Sequence, residues 1–391
     1  MTFVLLSLIT SRKDLINDKT DIEVNDLVSF IVPVYEEEST ILDTIKSLKE
    51  LEYKHVEFIL LNDGSKDNSA KIIAKGIHGD SRFTFIDNEV NKGKAATLNQ
   101  GIALAKGKYV ACMDGDSIVE PKILNKSLPY FSNEKVGSVT VSVEVSNPKT
   151  ILQKIISVEF SLGLSLMLKL FSFLNCVFVT PGPFSIYRKS AVNEIGGFDI
   201  NNITEDHEIA FRLHKAGYKI ENCMEAKVFT ELPDTFKGIY VQRRRWYSGS
   251  ILTFFQHKDV LLKPKYGVFG FFIPFNFFLI LSGLSLFIFS TFLFIKKAIN
   301  YFIYYGYTNF NFFENWKFEF DLLAFGQVNL FGMSMFLTTL LFILVGFSLT
   351  QKKFKNYTLG LIGFPLFFIY YQIFWIGSIF QVLKGGKIKW R

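Results

Sequence analysis

LVSFIVPV, residues Leu27–Val34, is a short run rich in β-branched residues and reads as a strand. Outward from it the same kind of run returns at a regular spacing. His55–Leu61 (HVEFILL), Arg82–Asp87 (RFTFID) and Lys108–Met113 (KYVACM) are the second, third and fourth. Amphipathic stretches lie between them: Ser39–Leu51, with Ser39 as its expected cap, a segment opening near Asp67, and Lys94–Ala105. Strand–helix alternation of this kind predicts an α/β domain built on a mostly parallel, doubly wound (Rossmann-like) sheet. Ligands of such sheets sit beyond the carboxyl ends of the strands, which selects the residues to examine.

The first strand runs into Pro33-Val34-Tyr35-Glu36-Glu37, the second into Asn62-Asp63-Gly64-Ser65 and the fourth into Asp114-Gly115-Asp116. Asn91-Lys92-Gly93-Lys94 opens the third helix. An aromatic ring, a Pro-shaped turn, carboxylates and a lysine on one sheet edge suit a nucleotide diphosphate. A dinucleotide is excluded, because Glu-rich sequence stands where a GxGxxG turn would follow the first strand. Asp114 and Asp116 can approach one cation across the small Gly115. Hard divalent ions such as Mg²⁺ or Mn²⁺ prefer oxygen ligands and bridge to phosphates, and they stabilise a departing diphosphate. In isolation an Asp-x-Asp pair is more often a solvated turn; its position on the fourth strand end is what gives it weight.

Two further clusters lie downstream. Thr204-Glu205-Asp206 opens a helix ending near Gly217. Thr at an N-cap followed by acids is ordinary capping; the functional alternative makes Asp206 a general base. A carboxylate at a helix N-terminus is expected to have a lowered pKa, ionised but weakly basic. Gln242-Arg243-Arg244-Arg245-Trp246 is either a basic interfacial helix with a Trp anchor or a clamp. In the clamp, Arg245 grips a diphosphate and Trp246 stacks on a sugar ring.

Phe is over-represented, with 44 residues, and 49% of the chain is hydrophobic. After Tyr266 three stretches contain no Asp, Glu, Lys or Arg: Val268–Ile295, Leu322–Thr350 and Tyr357–Leu383. Each is longer than the roughly 20 residues a helix needs to cross a bilayer. The expected organisation is therefore an N-terminal segment 1–26, an α/β domain 27–265 and a transmembrane region 266–391. Within the domain, about 151–178 is expected as an amphipathic interfacial helix, with a buried core helix as the competitor. Met1–Thr10 is too short to span and lacks the features of a signal peptide. The net charge of +7 does not point to nucleic acid, since lysines flank the apolar stretches, as positive-inside topology requires. Three spans put the Lys352–Lys355 loop inside but Lys384–Arg391 outside, against that bias, unless one span is re-entrant. Asn300–Phe313 is expected as a headgroup-level element or an irregular loop. Cys112, Cys176 and Cys223 have no metal-binding spacing and are expected as buried thiols.

In order and spacing these motifs resemble the family 2 glycosyltransferases of GT-A fold, the group holding cellulose, chitin, hyaluronan and poly-N-acetylglucosamine synthases. The resemblance covers residues from about 28 to 250. It implies that Pro33, Tyr35 and Glu36 line a nucleobase pocket completed by Asp63 and Lys94. It implies that Asp114 contacts the nucleotide and Asp116 the metal, that Asp206 is the base with Glu205 beside it, and that Gln242, Arg245 and Trp246 clamp diphosphate and acceptor. Thr180-Pro181-Gly182-Pro183-Phe184-Ser185 occupies the acceptor-contacting position, with Gly182 in contact; Pro181 stands where cellulose synthases usually have Cys. The implied activity is inverting transfer from a nucleotide sugar, UDP-linked in most of the group, at the cytosolic face of the cell membrane. The acceptor is a growing polysaccharide, with export helped by an accessory subunit, or alternatively a membrane lipid.

Overall fold

The computed structural model describes residues 24–307, 327–350 and 352–385. Met1–Thr10, the start of the second apolar stretch, residues 308–313 of the aromatic segment and most of the basic tail lie outside them. The four expected strands are present as β1 (Val28–Val34), β2 (Val56–Asp63), β3 (Phe83–Asn88) and β4 (Tyr109–Met113). They are parallel, in the order β3-β2-β1-β4, and are joined by α1 (Ile41–Lys49), α2 (Ser69–Gly76) and α3 (Lys94–Leu104). Every residue of β1 is buried, as a strand covered by helices on both faces requires. Ser39 does not cap α1. The N-cap is Thr40, whose hydroxyl donates to the Glu37 carboxylate rather than accepting from the helix.

Pro33 is the last residue but one of β1, not part of the turn that follows it. A proline inside a central strand normally removes a ladder hydrogen bond. Here pairing to β4 ends at Ile31↔Cys112, while pairing to β2 runs on to Val34↔Asn62. The missing N–H therefore falls where the β4 side has already parted, and the strands open around the Asp114 turn.

Beyond β4 the sheet is mixed, continuing β4-β7-β6-β8-β5, with β5 (Ile118–Val119), β6 (Val136–Val145), β7 (Phe184–Arg188) and β8 (Lys219–Thr230). β7 is antiparallel to both β4 and β6, whereas β6 and β8 are parallel. α4 (Ile123–Ser127) follows β5, and α7 (Lys189–Glu194) and α8 (Glu205–Lys215) follow β7. α9 (Phe236–Gln256) is the 21-residue helix carrying Gln242–Trp246.

Residues 151–173 form the helical run expected there, and most of it is buried. α5 (Ile151–Phe160) runs through a π-helical segment, Ser161–Met167, into α6 (Leu168–Phe173), and the whole is largely buried against the sheet. Two of its charges, Lys169 and Glu159, have internal partners. Lys169 Nζ donates to the Tyr130 hydroxyl (2.7 Å) and the Asn222 carbonyl (3.1 Å). Glu159 pairs with Arg243 of α9 at 2.8 Å, and Arg243 is only 2% exposed. Arg243 is thus a core residue, with the Trp246 ring 4.2 Å from its guanidinium. Glu159→Leu strands that buried guanidinium and is expected to cost about 3–5 kcal/mol of stability, most of it recovered in Glu159→Leu/Arg243→Met. Thermal unfolding of detergent-solubilised protein measures both; an unchanged Tm in the single variant would refute the internal pairing.

Three apolar helices follow: α10 (Gly267–Tyr307), α11 (Gln327–Leu349) and α12 (Thr358–Leu383). α10 is long and apolar enough to cross a membrane, and it carries straight through Asn300 to Tyr307, so that part of the aromatic segment is helix rather than irregular loop. α12 is bent by 59° between Thr358–Pro365 and Ile369–Leu383, at the internal proline. It lies along the α/β domain for much of its length. A Cβ on Gly360 would strike the Lys154 carbonyl of α5, and one on Gly377 would strike the Tyr240 hydroxyl of α9. Trp375 stacks on Tyr247 (4.5 Å, 4°), and Ser378 donates to the Arg244 carbonyl. Between α11 and α12, Lys352 is nearly buried on Glu144 of β6 (3.0 Å) and donates to Ser161 (2.6 Å).

Candidate active site

The turn after β1 is braced by the loop after β2. The backbone N–H of Glu36 donates to Ser65 Oγ (3.0 Å), that of Glu37 to Ser69 Oγ (2.9 Å) and that of Glu38 to Asp67 Oδ2 (3.1 Å). Glu36 adopts φ +56°, a left-handed backbone that a non-glycine residue holds only when its surroundings enforce it. Asp63, 3% exposed, accepts from the backbone N–H of Lys92 (2.8 Å) and Gly93 (3.0 Å). Its carboxylate therefore fixes the loop that delivers Lys94. Gly64 packs against that loop so closely that a Cβ would sit 2.6 Å from Asn91 N. Tyr35 is partly exposed and Glu36 exposed, while Pro33 is buried in β1 and its carbonyl abuts Gly115.

Lys94 opens α3 with its ammonium 2.5 Å from Asp114 and 2.9 Å from Glu205. Burial alone would lower its pKa; Asp114, Glu205 and Asp206 outweigh that and keep it charged. The side chain thus joins the β4 end to the start of α8. Gly182 makes this possible. A Cβ there would meet Lys94 Nζ at 2.7 Å and Asp114 Oδ2 at 3.0 Å.

The start of α8 is not an ordinary cap. Thr204 occupies the N-cap but makes no capping bond into the helix; its hydroxyl is engaged with Asn202 Oδ1 at 3.2 Å. Nor is Asp206 lowered in pKa. Burial and the neighbouring Glu205 push it up to about 6, against the pull of Lys94 and Arg245. Desolvation at this depth exceeds what the helix terminus returns. Burial works the same way on Glu205, but there Lys94 and, more weakly, Arg245 win, and its carboxyl lies below the usual range. Two adjacent acids are driven apart, one held ionised and one made more basic. His207 does not compete as a base: burial and His257 push it down to about 3, and its ring packs edge-on to Phe178.

α9 comes up to α8 through Gly249, where a Cβ would lie 2.2 Å from Thr204 Oγ1. Arg245 is one turn before Gly249 on the same face, which accounts for its pull on Glu205 and Asp206. Gly249→Ala is expected to force the helices apart, costing about 1–3 kcal/mol and at least tenfold in turnover. Comparing Tm with turnover of the purified protein checks it, and wild-type values in both would refute the close packing. Trp246 is partly buried against Phe160. Gln242 Oε1 is buried without a hydrogen-bond partner, which calls for an explanation such as a ligand.

At the Asp114-Gly115-Asp116 turn, burial, Asp114 and Glu37 push Asp116 up to about 7. Glu37 was visible only as part of a Glu-rich turn; its nearness to Asp116 is a product of the fold. Among the described residues no three Asp, Glu, His or Cys side chains are grouped to hold a metal ion. Crowded carboxylates short of positive charge nonetheless fit a hard cation that completes its shell with phosphate oxygens and water. A small cavity of about 10 Å³ lies between the clusters, lined in part by Lys94, Thr180, Gly182, Glu205 and Asp206, and by Tyr187 and Phe198, which the sequence reading did not single out. The three cysteines are buried and none of them forms a disulfide.

A half-parallel sheet with carboxylates on its β4 end, facing a second acidic helix start across a lysine, defines a GT-A type domain. Residues 29–196 match the family model described as Glycosyl transferase family 2. Two curated relatives are poly-beta-1,6-N-acetyl-D-glucosamine synthases. The one from Staphylococcus aureus (strain COL) is 36% identical over 237 residues, which are 60% of this chain and 57% of the relative. That from Staphylococcus epidermidis is 35% identical over 223 residues, 57% of this chain and 54% of the relative. The match thus spans little more than half the length of these relatives. Among solved structures, a mannosyltransferase from Pyrobaculum calidifontis in complex with GDP-Man and Mn²⁺ covers 98% of this chain and 95% of its own. Its TM-score is 0.61 at 16% identity, a likeness of fold.

Proposed function

We propose that the chain is a membrane-embedded, inverting glycosyltransferase that moves a sugar from a nucleotide-activated donor to a growing β-linked polysaccharide at the cytosolic face. The observation that carries this is Lys94, one ammonium within ion-pair distance of both Asp114 and Glu205. It brings the donor-side strand end and the acid pair of α8 into one site, although they are far apart in sequence.

Asp206 accepts the proton of the acceptor hydroxyl as its oxygen bonds to the anomeric carbon and the bond to the diphosphate breaks. A pKa of about 6 leaves Asp206 mostly ionised at neutral pH yet more basic than an ordinary aspartate. Glu205 stays ionised and holds Lys94. Arg245 grips the departing diphosphate, and the partly exposed Trp246 offers its ring to the acceptor sugar. Gln242 Oε1, buried and unpartnered, is the natural contact for an acceptor hydroxyl. Asp114 and Asp116 would hold Mg²⁺ or Mn²⁺, which when bound supplies positive charge to the leaving group. Tyr35 and Glu36 face the nucleobase side, with Pro33 shaping the turn and Asp63 fixing the Lys94 loop.

The curated relatives' name makes N-acetylglucosamine the first donor sugar to test. Membranes incubated with labelled UDP-sugars and Mg²⁺ or Mn²⁺ should yield high-mass, glycosidase-sensitive product. Label found only in an organic-phase lipid would replace the polymer by a lipid acceptor, and no nucleotide release with any donor would overturn the proposal. Export by an accessory subunit is read in the same assay from product retained inside vesicles.

A further inference from the structure

Asp206 carries its base on a helix whose first turn is tied down from outside. Its backbone carbonyl accepts from the Thr180 N–H at 3.0 Å and again from Thr180 Oγ1 at 2.8 Å. Thr180 Oγ1 in turn accepts from the Tyr187 hydroxyl at 2.8 Å. Thr180 and Tyr187 are 0% and 1% exposed, and the Tyr187 ring stands edge-on to Phe198 at 5.7 Å. Tyr187 lies on β7, paired with Val110 of β4 on one side and Ser138 of β6 on the other. β4 ends at the Asp114 turn, and Thr180 begins the loop whose Gly182 touches Lys94 and Asp114.

A buried hydroxyl pair is costly unless every bond is made, and once made it specifies one geometry. Phe and Val would fill the same two spaces without that demand. Resting on the glycosyltransferase reading above, we infer that Tyr187 and Thr180 are positioning residues. Their relay, Tyr187 Oη–H to Thr180 Oγ1–H to the Asp206 carbonyl, sets the base against the acceptor and makes α8, the acceptor loop and the donor-side strand one rigid body. Neither side chain touches the transferred proton. The relay acts on where the Asp206 carboxylate stands, so its loss penalises attack by a bound acceptor more than binding of the donor.

The test uses Tyr187→Phe, Thr180→Val and Thr180→Ser in the full chain, in detergent or native membranes, with UDP-N-acetylglucosamine as the probe donor. Transfer to acceptor, hydrolysis of donor without acceptor, donor KM and backbone amide exchange at Thr180 and the first turn of α8 are measured together. Tyr187→Phe and Thr180→Val are expected to lower transfer kcat by about tenfold or more, with donor KM and hydrolysis within about twofold of wild type. Amide exchange at Thr180 should rise in both, and Thr180→Ser, which keeps the hydroxyl, should restore transfer and protection. A purely structural role would instead lower transfer and hydrolysis in parallel. Wild-type transfer and exchange in both hydroxyl-deleting variants, or parallel loss without rescue by Thr180→Ser, would overturn the relay. If wild-type protein turns over no nucleotide sugar, the functional reading falls, and the exchange measurement still decides the relay.

Discussion

Asp206→Asn is expected to reduce sugar transfer by about 10²–10⁴-fold, the usual worth of a positioned general base. The amide preserves the shape of the side chain and its place on α8 but cannot take the acceptor proton. Donor binding should persist, because Lys94, Glu205 and Asp114 are untouched. The pH profile gives an independent reading. Burial and Glu205 raise Asp206 to about 6, so the working form is the ionised one above that pH. Wild-type transfer should therefore fall as pH drops through about 6, and the residual activity of Asp206→Asn should lose that limb. Because Asp206 and Glu205 titrate as a pair, the limb reports an apparent value for both. Undiminished turnover in Asp206→Asn would remove it from the mechanism.

Asp116→Ala should be nearly as damaging, about 10²–10³-fold, through loss of charge stabilisation at the diphosphate. Its effect on stability should run the other way. Burial, Asp114 and Glu37 all disfavour the Asp116 charge and outweigh the Ser117 hydroxyl and Lys94, which favour it. Removing that carboxylate relieves repulsion, so Tm without added metal should be unchanged or higher while activity is lost. The midpoint of activation by Mn²⁺ should also move to higher concentration. A variant with full activity and an unaltered Mn²⁺ midpoint would show that Asp116 holds no cation.

The parallel half of the fold was legible because its strands are short β-branched runs separated by helix-length stretches; β1 to β4 begin and end within about two residues of expectation. The other half was not. β7 lies between β4 and β6 only through a long-range antiparallel pairing that no local period encodes. The strand-end carboxylates were legible as a set, but not what each does to its neighbour. Asp206 was expected to be acidified by its helix, yet its pKa depends on burial that follows from α9 closing over Thr204 at Gly249. The internal pairings of Glu159 and Lys169 were hidden for a related reason. A charge in an apolar stretch looks like a lipid-facing boundary until its partner, scores of residues away, is known.

The bend in α12 has a consequence for sidedness. Lys352, immediately before that helix, is held by Glu144 on the catalytic sheet. Beyond the bend, the helix returns along α9 as far as Ser378 against Arg244. A segment that starts at the catalytic domain and is still on it shortly before its end is expected to make a round trip rather than a crossing. The expected count of passages through the bilayer is then even, with α12 adding none. Lys384 is then expected in the same compartment as the Arg243–Arg245 cluster, as positive-inside topology prefers. A Lys384→Cys variant should accordingly react with membrane-impermeant maleimide only in inside-out vesicles; labelling in right-side-out vesicles instead would restore a third crossing.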